Sequence, residues 1–225
     1  MPNYALLTVY LFAFACAVSV SWWATVSGPK LLERYTKPVQ VATPTGSQLL
    51  FLSAVVQGAG FFVAQNDPFI VSTVPLWGLF AIMVWIDSLV HKLPNHLTAM
   101  AAGYLLFGVV VASFGPVDFD YLALASSVAF GALVWVIPLW LLRRIGAGVG
   151  GGDVKLAPVI GGWLGLYGGG IAVSGLAMAF ILGGTFALFL LLSARATWKS
   201  AVAFGPAMIS GAVCAWFVSG FLVSS

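Results

Sequence analysis

Charge is what this chain has least of. Its 225 residues include nine Lys and Arg and six Asp and Glu, 7% of the total, against 61% hydrophobic residues. A soluble domain needs a larger charged surface, so that class is excluded. The net charge of +3 does not indicate nucleic acid, because the basic residues are scattered over short segments and form no patch. Cys16 and Cys214 each lie in an apolar run outside any C-x-x-C pattern, which excludes a zinc site and a disulfide framework and leaves small buried apolar side chains. His91 and His96 are five apart, off a common helix face, with no carboxylate–histidine cluster around them. No G-K-[ST] is present, so there is no P-loop; Gly146, Gly148 and Gly151 match G-x-G-x-x-G but follow Arg143-Arg144 and an apolar run instead of a strand. Internal repeats and low-complexity tracts are also absent. Met1 to Tyr4 hold no Lys or Arg, so residues 5–27 read as a retained span and not as a cleavable signal.

What fills the chain is apolar sequence long enough to cross a bilayer, again and again. The expected fold is an all-α polytopic membrane protein with about eight spans, at 5–27, 48–65, 69–89, 97–115, 121–142, 156–171, 173–193 and 203–222. The sixth and seventh are divided at Tyr167-Gly168-Gly169-Gly170, because 156–193 is too long for one crossing. Placing both termini on the outer side puts all nine basic residues inside: Lys30, Arg34 and Lys37; Lys92; Arg143, Arg144 and Lys155; Arg195 and Lys199. Asp67, Asp118 and Asp120 then fall outside. That segregation follows the positive-inside rule. The chain reads as one membrane-embedded domain, 1–225, with a short basic inner loop at 28–47 that is too small to fold alone. Gly161, Gly165 and Gly169 recur every four residues, a face for close helix contact. Aromatics such as Trp22, Trp77, Trp85 and Trp163 suit interfacial belts and packing.

Two acids stand apart from the loops. Asp87 ends an apolar run in Trp85-Ile86-Asp87-Ser88, and Asp153 closes the glycine run Gly150-Gly151-Gly152-Asp153. A carboxylate in or at the edge of a span is costly and marks a functional site by default. The topology puts both at a similar depth near the inner face, 66 residues apart in sequence. Two adjacent carboxylates repel each other and share one proton. The ionised member takes a proton from water and the protonated one donates to a carbonyl, which is aspartic-protease chemistry without metal or cofactor. Gly150, Gly151 and Gly152 allow close backbone approach of an extended substrate, and Lys155 orients it, tunes Asp153 or serves as a plain inner-side anchor. The bland alternative for Asp153 is a helix cap. His91 is interfacial and near enough in sequence to influence Asp87.

At these motifs the chain resembles the type IV prepilin peptidases, the G-x-G-D aspartic proteases of bacterial membranes. Gly150-Gly151-Gly152-Asp153-Val154-Lys155-Leu156 is similar to their second catalytic motif, Asp87 with Leu93-Pro94-Asn95-His96-Leu97-Thr98 to their first, and Phe204-Gly205-Pro206 to a further pattern. The resemblance implies that Asp87 and Asp153 are the catalytic pair. It implies a substrate too: a prepilin or pseudopilin, cut after its basic leader at the cytoplasmic face of the cell membrane, for pilus assembly or protein secretion. Bifunctional members carry a cysteine-containing domain between the first two spans and also N-methylate the product. Here that position holds only Gly28 to Ser47, without cysteine, so cleavage without methylation is expected. Two other readings compete: an intramembrane protease of another substrate class, and an ion-coupled transporter, against which the acids lie at the inner edge and no repeat symmetry is visible.

Overall fold

The computed structural model describes residues 3–64, 68–113, 120–193 and 204–224. All secondary structure among them is helical: α1 (Asn3–Val26), α2 (Gly28–Thr36), α3 (Gly46–Ala64), α4 (Pro68–Val90), α5 (Asn95–Ser113), α6 (Tyr121–Arg144), α7 (Gly151–Gly165), α8 (Gly169–Leu192) and α9 (Gly205–Ser224), with a 3-10 turn at Lys37–Val39. Helices are the outcome hydrocarbon demands, because each must satisfy its own backbone polar groups. Among the described residues five helices are long and apolar enough to cross a membrane: Leu7–Val26, Gly46–Ala64, Ile70–Val90, Tyr121–Arg144 and Gly169–Leu192. Asn95–Val110 and Gly205–Ser219 are shorter apolar helices. The division expected at 167–170 is present, but earlier than placed: α7 runs from 151 to 165, and Gly168 at φ +134° separates it from α8. Arg195, Lys199, Asp67 and Asp118 lie outside the described residues.

The helices pack as two compact units. In the first, comprising α1–α5, α4 is the most enclosed: 72% of its span is buried, against 28% for α1 and for α3. Small residues let α3 approach it. Gly60 faces Val74 and Trp77, and Gly78 receives the Gln57 amide. At one end Val9, Ala13, Ala64 and Val71 form an apolar cluster with Phe61 and Phe107. The segment 28–47 is not a bare loop. Its helix α2 buries Gly28, Leu32 and Thr36, one face at four-residue spacing, and exposes Lys30, Arg34 and Lys37. Thr36 and Thr43 hydroxyls bond at 2.6 Å and hold the return strand of the segment down. Lys37, 2.7 Å from Glu33, keeps that carboxyl below its ordinary pKa through a hydrogen bond and its charge.

The second unit comprises residues 91–93 and the chain from Leu122 onward, with α7 packed on α8 and α9 and, through its glycines, on α6. All three glycines of the four-residue repeat face α6. Gly161 meets Gly131 backbone to backbone, Gly165 meets Ser127 and Val128, and Gly169 meets the Phe130 ring. Ser127 Oγ donates to the Gly165 carbonyl at 2.8 Å, and Trp135 Nε1 to that of Ala172 at 2.8 Å. Trp163, assigned to the aromatics above, is core, whereas Trp22 is exposed. Cys214 is exposed and Cys16 half-buried, so neither is the buried apolar filler expected.

Adjacent glycines on α8 give a sharp test. A methyl at Gly183 would come within 2.8 Å of the Phe204 ring, while nothing lies within 4 Å of one at Gly184. Gly184→Ala should therefore stabilise by about 1 kcal/mol through helix propensity alone. Gly183→Ala should destabilise by about 1–3 kcal/mol through overpacking. Thermal unfolding in detergent of the two variants checks the opposite signs.

Candidate active site

Asp87 belongs to the first unit. It sits one turn from the end of α4 and is 4% exposed. Met83 and Val90, one turn before and one after, are buried on the same face, so the carboxylate lies on the enclosed side of the most enclosed helix. Just beyond it the chain leaves the helix through His91, at φ +53°. A left-handed residue followed closely by a proline is a common helix stop; here Pro94 is that proline, and its carbonyl accepts Leu97 N–H at 3.1 Å to begin α5. The Leu-Pro-Asn segment is thus the turn between α4 and α5. His91 is exposed, so His91→Gly should remove only backbone strain and stabilise by about 1 kcal/mol. A loss of stability on chemical unfolding would show instead that the imidazole has a partner.

Asp153 belongs to the second unit and is 6% exposed. The approach to it is built by glycines. Gly146 at φ +74° and Gly148 at φ +80° reverse the chain after α6 in a backbone region that other residues avoid. Gly150 is extended (φ −71°, ψ 154°) and caps α7. Asp153 is the third residue of that helix, and its Oδ2 accepts the Gly150 N–H at 3.0 Å. The capping role weighed for Asp153 is therefore present, from inside the helix, and orients the carboxylate.

The other two glycines are covered by the protein's own side chains. A methyl at Gly151 would run into the Arg143 guanidinium, with Cζ at 2.9 Å. One at Gly152 would come within 2.9 Å of Leu93 Cβ, so Leu93 packs directly on the glycine run. Lys155 is exposed on the first turns of α7. Arg143 is the residue that sequence reading passed over, as one of several inner-side basic residues; no local pattern connects it to Gly151. Phe204-Gly205-Pro206 opens α9, and Phe204 rests on Gly183 and on Phe180, ring centres 5.5 Å apart. Among the described residues no group of three or more His, Cys, Asp or Glu is placed to hold a metal ion.

The arrangement is two buried carboxylates, one on the central helix of each unit. Neither the curated proteins nor the solved structures include a match to this chain. Residues 74–192, more than half of the sequence and a stretch containing both Asp87 and Asp153, match the type IV leader peptidase family. The chain is a member of that family, and so a protease, of the aspartic type found there.

Proposed function

We propose that the protein is a prepilin leader peptidase of the cell membrane. On this reading Asp87 and Asp153 act as one catalytic pair, and residues 1–225 as one peptidase domain of eight spans with both termini outside. The observation that carries it is the family match enclosing two carboxylates that are each buried on an otherwise apolar helix face. A buried acid without a functional role is a poor use of a membrane helix.

The chemistry needs one ionised and one protonated carboxyl. The ionised aspartate takes a proton from a water molecule as that water attacks the scissile carbonyl carbon. The protonated aspartate gives its proton to the carbonyl oxygen. The tetrahedral intermediate then collapses, the C–N bond breaks, and the leaving nitrogen takes up a proton to become the new amino terminus. The bond between Gly150 and Asp153 holds one carboxylate in place beforehand, which shortens the search for a reactive geometry. Gly150, Gly151, Gly152 and Lys155 border the substrate in this reading. The substrate is a prepilin or pseudopilin with a basic leader, cut on the cytoplasmic side. The product is not methylated, since Gly28–Ser47 between the first two spans holds only the helix α2 and its return.

The test is co-expression with a tagged prepilin from the same genome, read by mass spectrometry of the substrate's N-terminus. A cut after the leader glycine that leaves a free, unmethylated amine supports the reading. An uncut prepilin beside well-inserted protein overturns it.

A further inference from the structure

We propose that Arg143 is a substrate-binding residue, whose guanidinium donates hydrogen bonds to main-chain carbonyl oxygens of the peptide presented to Asp153. The proposal rests on the reading of Asp153 as catalytic. Its ground is a placement within the second unit. The reversal at Gly146 and Gly148 folds the end of α6 back on the start of α7, and the Arg143 guanidinium lies against Gly151, two residues from Asp153.

A cation in the last turn of α6 suits that helix's own dipole, but that does not require the guanidinium to reach over the start of α7. A cation over the first turn of a helix faces the positive end of its dipole, which is unfavourable. The neighbouring Arg144 is engaged elsewhere, 5.6 Å from the centre of the Trp140 ring. Among the described residues the Arg143 side chain makes no hydrogen bond or ion pair, so its five N–H donors are uncommitted. It is solvent-exposed, as is the extended Gly150 beside it. Donors and positive potential converge on a strip next to a carboxylate, and an extended peptide offers carbonyl oxygens at regular intervals whatever its side chains. Gly151 fits this account: a side chain there would compete with the guanidinium for the same space.

The test is steady-state cleavage of a synthetic peptide spanning the prepilin cleavage site, by full-length protein in detergent. Arg143→Ala should raise KM about tenfold or more and change kcat by less than about threefold, the mark of a charged hydrogen bond to substrate. Arg143→Lys should recover part of the loss. Gly151→Ala should reproduce the KM increase by displacing the guanidinium, and the double variant should be no worse than Arg143→Ala alone. Asp153→Asn is the reference. If it is inactive while Arg143→Ala keeps the wild-type KM, the role of Arg143 is refuted and the catalytic reading stands. An active Asp153→Asn removes both. A lower melting temperature with unchanged KM would make Arg143 structural and defeat the proposal.

Discussion

Asp87→Asn and Asp153→Asn should each reduce prepilin cleavage by about 10²–10⁴-fold or more, the range expected when a general acid or base is removed, while both proteins still accumulate in the membrane. Asparagine keeps the shape of aspartate but loses its charge and its proton chemistry. At position 153 its side-chain oxygen can still accept the Gly150 N–H, now 3.0 Å from Oδ2, so the start of α7 survives. The lost charge at the helix N-terminus costs about 0.3–1 kcal/mol. At position 87 the variant should melt no lower than wild type, because a neutral amide is easier to bury than a carboxylate in a 4% exposed site. The signature is therefore a separation: activity falls by orders of magnitude while stability at position 87 holds or rises. Purified variants compared by thermal unfolding and by cleavage of the tagged substrate give both readings. Wild-type cleavage by either variant would end the catalytic assignment.

The largest stability effect is expected at Gly161. There α7 meets α6 main chain to main chain, with the Trp135 side chain alongside: a methyl at Gly161 would overlap the Gly131 carbonyl oxygen, and one at Gly131 that of Gly161. No rotamer change relieves a clash with main chain, so Gly161→Val must push the helices apart. That separation also breaks the bond from Ser127 to the Gly165 carbonyl and the approach of Gly165 to Val128. A loss of about 3 kcal/mol, at the upper end for overpacking, is expected, and with it a lower yield of folded protein. Gly103→Ala on α5, with nothing within 4 Å, should by contrast be harmless. A melting temperature for Gly161→Val equal to wild type would show that α6 and α7 do not depend on this contact.

Much of the molecule was legible without coordinates. The helices follow from apolar runs, since hydrocarbon leaves the backbone no other local solution. Asp87 and Asp153 stood out because a carboxylate amid such runs has an energetic cost that needs a reason. The repeat of Gly161, Gly165 and Gly169 announced a packing face, though not its partner. Helix α2 was overlooked because its pattern is short and mixed: Pro29 near the start and Leu32 and Thr36 one turn apart are weak signals in a nine-residue helix.

Glycine shows where sequence stops. Gly146 and Gly148 are needed for their left-handed backbone and Gly161 for contact between helices, while Gly151 lies under a guanidinium and Gly184 has nothing nearby. All read as the same letter. The sequence by itself determined that this chain is helical, belongs in a membrane, and carries two acids that need explaining, because those are local consequences of hydropathy and charge. Only the tertiary structure decided that Arg143 rests on Gly151, that Leu93 rests on Gly152, and that Gly161 of α7 meets Gly131 of α6. Each is a contact between residues distant in the chain or separated by a turn, set by how whole helices pack and unmarked in any local pattern.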